Sequence, residues 1–191
     1  LEKFGEYDLL HYELEVQLST EKSRIAGTQK ITFRPLVSLR NIFLDMGPHL
    51  EVHQVKWKGK KLNYEFLGEI LRIDFPEVLH SDRNEWVEIV YYGDLKGTGP
   101  YPVWQKSTFS QLQVGLDAAH LPAYFWWPCK EHGNDQADSM RLSVIVPEEL
   151  SIFSSGTELS NEALPGNFVR YDLAYLYPIL PEEVSVYLGR L

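Results

Sequence analysis

The sequence predicts an all-β domain of about a dozen strands arranged in two or more packed sheets. Apolar and polar residues alternate along most segments, as they do on a strand that has one buried face. Aromatic residues make up 13% of the chain, and aromatic side chains favour strands. Glycines and prolines interrupt the alternating segments, and no long stretch has helical periodicity.

The amino-terminal part of the chain contains two clear strands. Alternation from Tyr12 to Leu18 places Glu13 and Glu15 together on the solvent face. The chain then turns and returns as a strand from Gly27 to Arg34, which Pro35 ends. These two segments therefore predict an antiparallel pair with one apolar face.

Further strands are predicted along the rest of the chain. They are Ile42 to Met46, Val52 to Trp57, Leu62 to Phe66, Ile70 to Phe75, Trp86 to Tyr92, Arg141 to Val146, Ile152 to Ser154, Phe168 to Leu173 and Val184 to Leu188. The turn at Gly59 predicts that the segments on either side of it form a hairpin. His53 shares an alternation face with Val55, which predicts a packed histidine. The nearly continuous apolar run from Trp86 to Tyr92 predicts a strand covered on both faces.

Composition excludes several classes of function. A net charge of −9 argues against binding to a phosphate backbone, and the basic run from Lys56 to Lys61 is typical of a solvated hairpin tip. The single cysteine allows no internal disulfide. The sequence contains no signal peptide and no apolar run long enough to span a bilayer. We expect a soluble protein, either cytoplasmic or exported with its signal peptide removed.

No catalytic or metal-binding motif stands out from the residues themselves. The histidines form no H-E-x-x-H motif, no serine lies in G-x-S-x-G, and no cysteine–histidine cluster has zinc spacing. Cys129 follows a proline and bulky aromatics, which favours a buried, unreactive thiol. We therefore predict no catalytic residue, no bound cofactor and no metal ligand in this chain.

The most unusual segment runs from Ala123 to Asp135. Four consecutive aromatic residues lead into a proline, the only cysteine and a polar turn, without the alternation of an ordinary strand. Large aromatics of this kind bury a corner between sheets, and polar side chains then hold a tight turn. The residues that we assign to this structural signature are Trp126, Trp127, Pro128, Cys129, Glu131, His132 and Asp135.

Three segments together resemble a known family. They are Tyr7 to Val16 with Ile25 to Thr28, then Trp126 to His132 with Asp135 and Asp138 to Met140, and finally Tyr177 to Ile179 with Val184 to Gly189. In this order they resemble the amino-terminal domain of the aminopeptidase N and leukotriene hydrolase family of gluzincin zinc metallopeptidases. The resemblance covers essentially the whole chain, and its middle segment is the most specific part.

The resemblance implies a saddle-shaped, multi-sheet β domain that leans on a separate catalytic domain. Residues 1–191 would form a single non-catalytic amino-terminal domain, and the zinc and its H-E-x-x-H motif would belong to the catalytic domain downstream. Neither that motif nor the family's substrate-binding G-A-M-E-N motif occurs in this sequence. The chain begins without methionine and ends on a predicted strand, so we expect it to be part of a longer polypeptide. Its expected partners are the catalytic domain and, through the cleft, a peptide substrate.

The resemblance also implies a loop that reaches into the substrate cleft. In family members a glutamine or glutamate there holds the free amine of the substrate, because an ammonium group presents only hydrogen-bond donors. The corresponding loop here runs from Gly115 to Pro122, and the family's residue falls at about Ala119. Alanine cannot accept a hydrogen bond from an amine. Asp117 would serve if the loop is shifted by two residues, and His120 would line the pocket.

Two alternatives remain open at this stage. One is a free-standing β-sandwich module that binds glycans or another protein, suggested by the aromatic residues from Tyr101 to Gln105. The other keeps the family but makes the parent protein a non-catalytic pseudopeptidase scaffold, which Ala119 suggests.

Overall fold

A computed structural model describes residues 2–19, 22–95, 112–116, 121–131 and 135–190. Within these ranges the chain forms fourteen strands: β1 (Tyr7–Ser19), β2 (Arg24–Pro35), β3 (Leu39–Asp45), β4 (Leu50–Trp57), β5 (Lys60–Lys61), β6 (Asn63–Phe66), β7 (Ile70–Leu79), β8 (Glu85–Asp94), β9 (Leu112–Leu116), β10 (Ser139–Pro147), β11 (Ser151–Ser154), β12 (Thr157–Leu164), β13 (Phe168–Tyr175) and β14 (Val186–Gly189). Short 3-10 helices span Glu2–Glu6, Ala123–Phe125 and Pro181–Glu183. The described ranges contain no α-helix, so the prediction of an all-β, multi-sheet fold is confirmed.

The strands form one large sheet and two small ones. The large sheet has eight strands in the order β12-β13-β10-β1-β2-β8-β4-β5. The small sheets have the orders β11-β14-β9 and β3-β7-β6. Buried apolar side chains from all three sheets form one hydrophobic cluster, which therefore joins the sheets into a common core.

The strand β1 lies near the middle of the large sheet. The alternation of apolar and polar residues along β1 explains which of its faces is buried. Leu14, Val16 and Leu18 are at most 1% exposed and point into the core, whereas Glu13 and Gln17 are exposed. β1 pairs antiparallel with β2 and parallel with β10. Parallel neighbours need a long connection, and here the chain from β2 to β9 lies between them.

Charges alternate in sign across the outer face of the large sheet. Arg141, Glu13, Lys30, Glu88 and Lys56 occupy consecutive positions in one row across five strands. Cross-strand neighbours of opposite charge each contribute up to about 1 kcal/mol. This face is therefore polar and largely self-neutralising, which leaves the opposite face for the core.

Three local predictions were wrong. Residues Leu62–Phe66 do not complete the hairpin, because the strand that pairs with β4 across the Gly59 turn is the two-residue β5, and β6 joins β7 in another sheet. His53 is exposed rather than packed, because the register of β4 against β8 shifts between Val52 and Gln54. The strand β8 is covered on one face only, since Tyr92 on its other face is 46% exposed.

Three strands were not predicted at all: the two-residue β5, β9 and β12. β12 is exposed along almost its whole length, and so it has no apolar face that alternation could reveal. β9 is a short strand that follows the glycine-rich part of the sequence. No helix in the described part of the chain is long and apolar enough to cross a membrane.

One core position of β2 carries a polar side chain. Gln29 is fully buried, and it pairs in register with the core positions Leu14 and Ile89. Neither amide atom has a hydrogen-bond partner among the described residues. An unsatisfied buried polar group costs roughly 1–3 kcal/mol, so this side chain weakens the core.

Replacing Gln29 with methionine is expected to raise the free energy of unfolding by about 1–2 kcal/mol, because methionine has a similar volume without the polar atoms. Urea unfolding would measure the change. Gln17→Met is the matched control, because Gln17 is exposed on the neighbouring strand and its replacement should change stability by less than about 0.5 kcal/mol. A Gln29→Met protein less stable than the parent would contradict the prediction.

Candidate functional site

The aromatic segment lies in the core against the inner face of the large sheet. Trp126 and Trp127 are fully buried, with ring centroids 5.7 Å apart. The Trp127 ring packs edge-on against the ring of Tyr12 at 4.6 Å. The Tyr91 hydroxyl donates a hydrogen bond to the carbonyl oxygen of Trp126 at 3.0 Å. Consecutive residues of the segment thus contact β1 and β8.

A glycine on β2 makes room for the Tyr91 side chain. Gly27 is the register partner of Tyr91, and a Cβ atom at this position would lie only 2.3 Å from the tyrosine ring. Any larger residue would displace the Tyr91 ring, and the hydrogen bond from the Tyr91 hydroxyl to Trp126 O would then be lost. Gly27 belongs to the resembling segments of the sequence, and close packing is a physical reason for a glycine there.

Hydrogen bonds attach the same segment to β3 and to the connection between β3 and β4. Asp45 and Cys129 form an isolated antiparallel bridge, with N–O distances of 2.7 and 3.0 Å. Gly47 N donates to Tyr124 O at 2.7 Å, and His49 Nε2 donates to Phe125 O at 2.6 Å. Both the large sheet and a small sheet therefore fix the position of this segment.

Cys129 is buried, and its surroundings suppress its reactivity. Burial raises the pKa of the thiol well above its usual value, and the nearby carboxylates of Glu131 and Asp45 raise it further. The thiolate is the nucleophilic form, so this cysteine is unreactive near neutral pH.

A buried ion pair holds the polar end of the segment. Lys130 is only 2% exposed, and its Nζ donates to Asp135 Oδ2 at 2.5 Å and to Tyr7 O at 2.7 Å. The ammonium group also lies 4.1 Å from the centroid of the Tyr7 ring. Asp135 Oδ2 accepts a further hydrogen bond from Leu9 N at 3.0 Å. Burial lowers the pKa of Lys130, and the hydrogen bond that its ammonium group donates to Asp135 opposes that shift.

Glu131 follows Lys130 in sequence and links the aromatic run to β3. Its Oε2 accepts a hydrogen bond from Tyr124 N at 3.0 Å, and its own N–H donates to Asp45 Oδ2 at 2.8 Å. The hydroxyl of Tyr12 accepts a hydrogen bond from Lys130 N at 3.0 Å. The polar groups of this turn are therefore held by backbone and side-chain partners from several elements.

The structure brings most of the sequence-assigned signature residues together in one place. Trp126, Trp127, Pro128 and Cys129 are buried, while Glu131 and Asp135 hold the adjoining turn. His132 lies outside the described residues. The sequence analysis did not identify Lys130 as a site residue. The pattern that could have indicated its burial is its position directly after an apolar run, with an aspartate five residues later.

Asp117, Ala119 and His120, the residues assigned to the cleft loop, also lie outside the described residues. The described residues on either side of these three belong to the core. Leu116, at the end of β9, and Leu121 are both fully buried. β9 pairs with β14, and the 3-10 helix Ala123–Phe125 follows Leu121. Any loop between these two points is therefore attached to the core at both ends.

A groove of about 810 Å³ lies at one end of the large sheet. Its lining includes Arg24, His49, Glu51, Tyr92 and Phe168. The Tyr92 hydroxyl donates to Glu51 Oε2 at 2.7 Å, and burial lowers the pKa of His49. In the described part of the chain, no three side chains of histidine, cysteine, aspartate or glutamate converge in a way that could hold a metal ion.

The same fold occurs in solved zinc metallopeptidases. An M1 zinc metallopeptidase from Deinococcus radiodurans matches with a TM-score of 0.79 at 21% identity. A mutant of the Deinococcus radiodurans enzyme bound to a Tyr-Ser-Ala substrate matches with a TM-score of 0.80 at 19% identity. A mutant of a two-domain M1 zinc metallopeptidase bound to L-arginine matches with a TM-score of 0.81 at 20% identity.

Each of these matches covers 96% of this chain and 42% of the other chain. The chain therefore spans about two fifths of the length of the metallopeptidases that it matches. No protein-family profile matches the sequence, and comparison with curated proteins found no match. At this level of identity the likeness defines the fold, which is that of an all-β part of an M1 metallopeptidase chain.

Proposed function

We propose that this chain is the non-catalytic amino-terminal domain of a zinc aminopeptidase-like protein. In this role it forms one wall of the substrate cleft and supports a separate catalytic domain. The observation that carries the proposal is the match of nearly the whole chain, 96%, to only 42% of two-domain zinc metallopeptidases. The three sequence segments that resemble this family support the same assignment.

The chemistry of the cleft loop fits recognition of an amine. An ammonium group donates hydrogen bonds and carries positive charge, so a carboxylate is its natural partner. Asp117 is the carboxylate in the loop, and His120 is a second polar residue beside it. Leu116 and Leu121, the described residues that flank these positions in sequence, are both fully buried.

The aromatic segment has a supporting role in this proposal. It begins directly after the loop in sequence, and it is bonded to β1, β3, β8 and the connection between β3 and β4. A rigid support is required because small displacements of a recognition group reduce binding and catalysis. The segment therefore acts on the substrate through the position of the loop.

The zinc of such a protein belongs to the catalytic domain in this proposal. The described residues do not form a zinc site: they contain no suitable group of three ligands, and the Cys129 thiol is held protonated in the core. The peptide-cleaving chemistry is accordingly assigned to residues beyond this chain.

Comparison of this chain with the longer polypeptide of its natural reading frame tests the proposal. Bound zinc and cleavage of aminoacyl fluorogenic substrates are expected only in the longer polypeptide. Asp117→Asn in that polypeptide should raise KM for substrates with a free amino terminus by at least about tenfold, the loss expected when a charged hydrogen bond is weakened. Ala118→Ser, at a neighbouring loop position, is the control.

Two outcomes would contradict the assignment. Stoichiometric zinc in the 191-residue chain alone would place a metal site within it. A longer polypeptide that binds no zinc and cleaves no substrate would favour the pseudopeptidase scaffold, for which Ala119 is the motivating residue.

A free-standing binding module is the second candidate function. The groove beside Tyr92 and Phe168 is the observation that favours it, because aromatic walls with polar groups between them can bind sugars. The aromatic residues from Tyr101 to Gln105 that first suggested it lie outside the described residues. A glycan-array screen without hits, together with zinc-dependent activity of the longer polypeptide, would remove this candidate.

A further inference from the structure

The groove at the end of the large sheet has a floor made of side chains in one row. Gln17, Ala26, Tyr92 and Glu51 are consecutive register partners across β1, β2, β8 and β4. All four lie on the outer face of the sheet and are exposed, Tyr92 by 46%. Ala26 has the smallest side chain of the row, so it leaves space for a ligand beside the Tyr92 ring.

Glu51 differs from other carboxylates of this face because no cation faces it. Glu13 and Glu88 both have Lys30 as a register neighbour, whereas the register neighbour of Glu51 is Tyr92. The Tyr92 hydroxyl donates to Glu51 Oε2 at 2.7 Å, and no cationic side chain in the described part of the chain pairs with Glu51. A carboxylate has about four lone-pair sites, so Glu51 can accept further hydrogen bonds from a ligand.

The other charges of the groove do not offset this carboxylate. Arg24 and Asp94 are register partners, so their opposite charges offset each other. Glu149 lies 4.0 Å from Arg190 in an exposed pair, which contributes little. The described lining therefore carries more negative than positive charge, which favours a cationic ligand over a phosphate or another anion.

We propose that this groove binds an organic amine, whose ammonium group lies between the ring of Tyr92 and the carboxylate of Glu51. An ammonium group has only donors, and it is attracted both to a carboxylate and to the face of an aromatic ring. The groove volume of about 810 Å³ also accommodates the carbon chain of such a ligand, which Phe168 would contact. This site does not depend on the proposed role in a peptidase.

The wall of the groove beside Tyr92 is already formed without a ligand. A Cβ atom at Gly93 would lie 2.5 Å from the Leu50 side chain and 2.9 Å from His49 O, so β8 and the start of β4 are closely packed. His49 Nε2 donates to Phe125 O at 2.6 Å and thereby joins this wall to the aromatic segment. A preformed site loses less free energy to ordering when a ligand binds.

Titration calorimetry of the 191-residue chain with cadaverine, a five-carbon diamine, tests the proposal. Pentanediol of the same length is the uncharged control ligand. Glu51→Gln removes the charge and keeps the shape of the side chain, and Tyr92→Leu removes the aromatic ring and keeps an apolar contact. Glu13→Gln is the matched control, because it removes the same charge from the same face, four residues from Gln17 along β1.

Cadaverine is expected to bind the parent chain, and the diol is not. Glu51→Gln should weaken cadaverine binding by at least about tenfold, the loss expected for a charged hydrogen bond. Tyr92→Leu should weaken it by about fivefold, the usual size of an exposed cation–π contact. Glu13→Gln should change it by less than about twofold, because four strand residues span roughly 13 Å and salt screens charges beyond about 10 Å.

A free amine and a lysine side chain of another protein present the same ammonium group. A blocked Gly-Lys-Gly peptide, with Gly-Gln-Gly as its control, separates the two sources. Tighter binding of the lysine peptide than of cadaverine would identify a protein as the source of the ligand. Tighter binding of cadaverine would identify a free amine.

Four results would overturn the proposal. They are equal affinity for cadaverine and the diol, equal losses in Glu51→Gln and Glu13→Gln, unchanged affinity in Tyr92→Leu, and no binding of cadaverine to the parent chain up to about 10 mM. Equal losses in the two glutamine variants would mean unspecific attraction of a cation to an acidic protein. A neutral sugar that binds the groove while cadaverine does not would assign the groove to the second candidate function.

Discussion

Replacement of Lys130 with alanine is expected to lower the free energy of unfolding by about 3–5 kcal/mol, the usual loss when one partner of a buried ion pair is removed. The substitution leaves the carboxylate of Asp135 without its cation and the carbonyl oxygen of Tyr7 without its donor. Asp135 is only 18% exposed at its side chain, so water replaces the lost contact incompletely. Urea unfolding followed by tryptophan fluorescence would measure the change.

Two controls separate the buried pair from an ordinary loss of charge. Arg83 pairs with Asp82 at the surface, and the two side chains are 62% and 69% exposed. Arg83→Ala should therefore cost less than about 0.5 kcal/mol. Lys130→Met combined with Asp135→Asn removes both charges and should recover more than half of the loss, since asparagine still accepts a hydrogen bond from Leu9 N. A Lys130→Ala protein as stable as the parent would refute this account of the turn.

The sequence was sufficient to predict the buried face of β1, whereas it wrongly predicted that both faces of β8 are covered. The alternation on β1 identifies its core face, because successive side chains point to opposite sides of a strand. Alternation does not identify the neighbours of a strand. The parallel pairing of β1 with β10 and the transfer of β6 to a second sheet depend on contacts between residues that are far apart in sequence.

The candidate site was predicted in its aromatic part but not in its polar part. Trp126 and Trp127 are large apolar residues, so their burial follows from the hydrophobic effect alone. The burial of Lys130 requires Asp135 and the Tyr7 carbonyl to be nearby, and the fold alone determines that proximity. For the same reason the exposure of His53 could not be predicted, since it depends on a register shift within a sheet.

Alkaline pH is expected to destabilise this protein steeply, because four acidic protons are buried in its core. Burial raises the pKa values of the Cys129 thiol and of the Tyr7, Tyr12 and Tyr91 hydroxyls well above their usual values. The hydroxyls of Tyr7 and Tyr91 also donate hydrogen bonds to the carbonyl oxygens of Phe43 and Trp126, and ionisation would remove these bonds.

The direction of the effect on stability follows from the difference in these pKa values between the folded and unfolded states. The unfolded chain ionises its thiol near pH 9.0 and its tyrosines near pH 10.0, whereas burial raises the pKa of these groups in the folded chain, so that they lose their protons at higher pH. Stability from these groups is therefore complete below pH 9 and is lost as the pH rises. Because each deprotonation favours the unfolded chain, the four groups together lower the free energy of unfolding as the pH rises above 9, and the usual stability of a domain is only about 5–15 kcal/mol. Lys130 acts in the opposite direction, because its lowered pKa means that deprotonation on the way to pH 10.5 favours the folded state.

Urea unfolding between pH 8 and pH 11 would measure this loss, and Cys129→Ala isolates the contribution of the thiol. The variant should be less stable than the parent at pH 8, because it loses a buried sulfur atom. The difference between the two proteins should then shrink by about 1.4 kcal/mol at pH 10, since only the parent loses stability through thiol ionisation. Parallel pH profiles for the two proteins would mean that the thiol can ionise in the folded state. Such a thiol would have access to water, which a closed core around Trp126 and Trp127 does not allow.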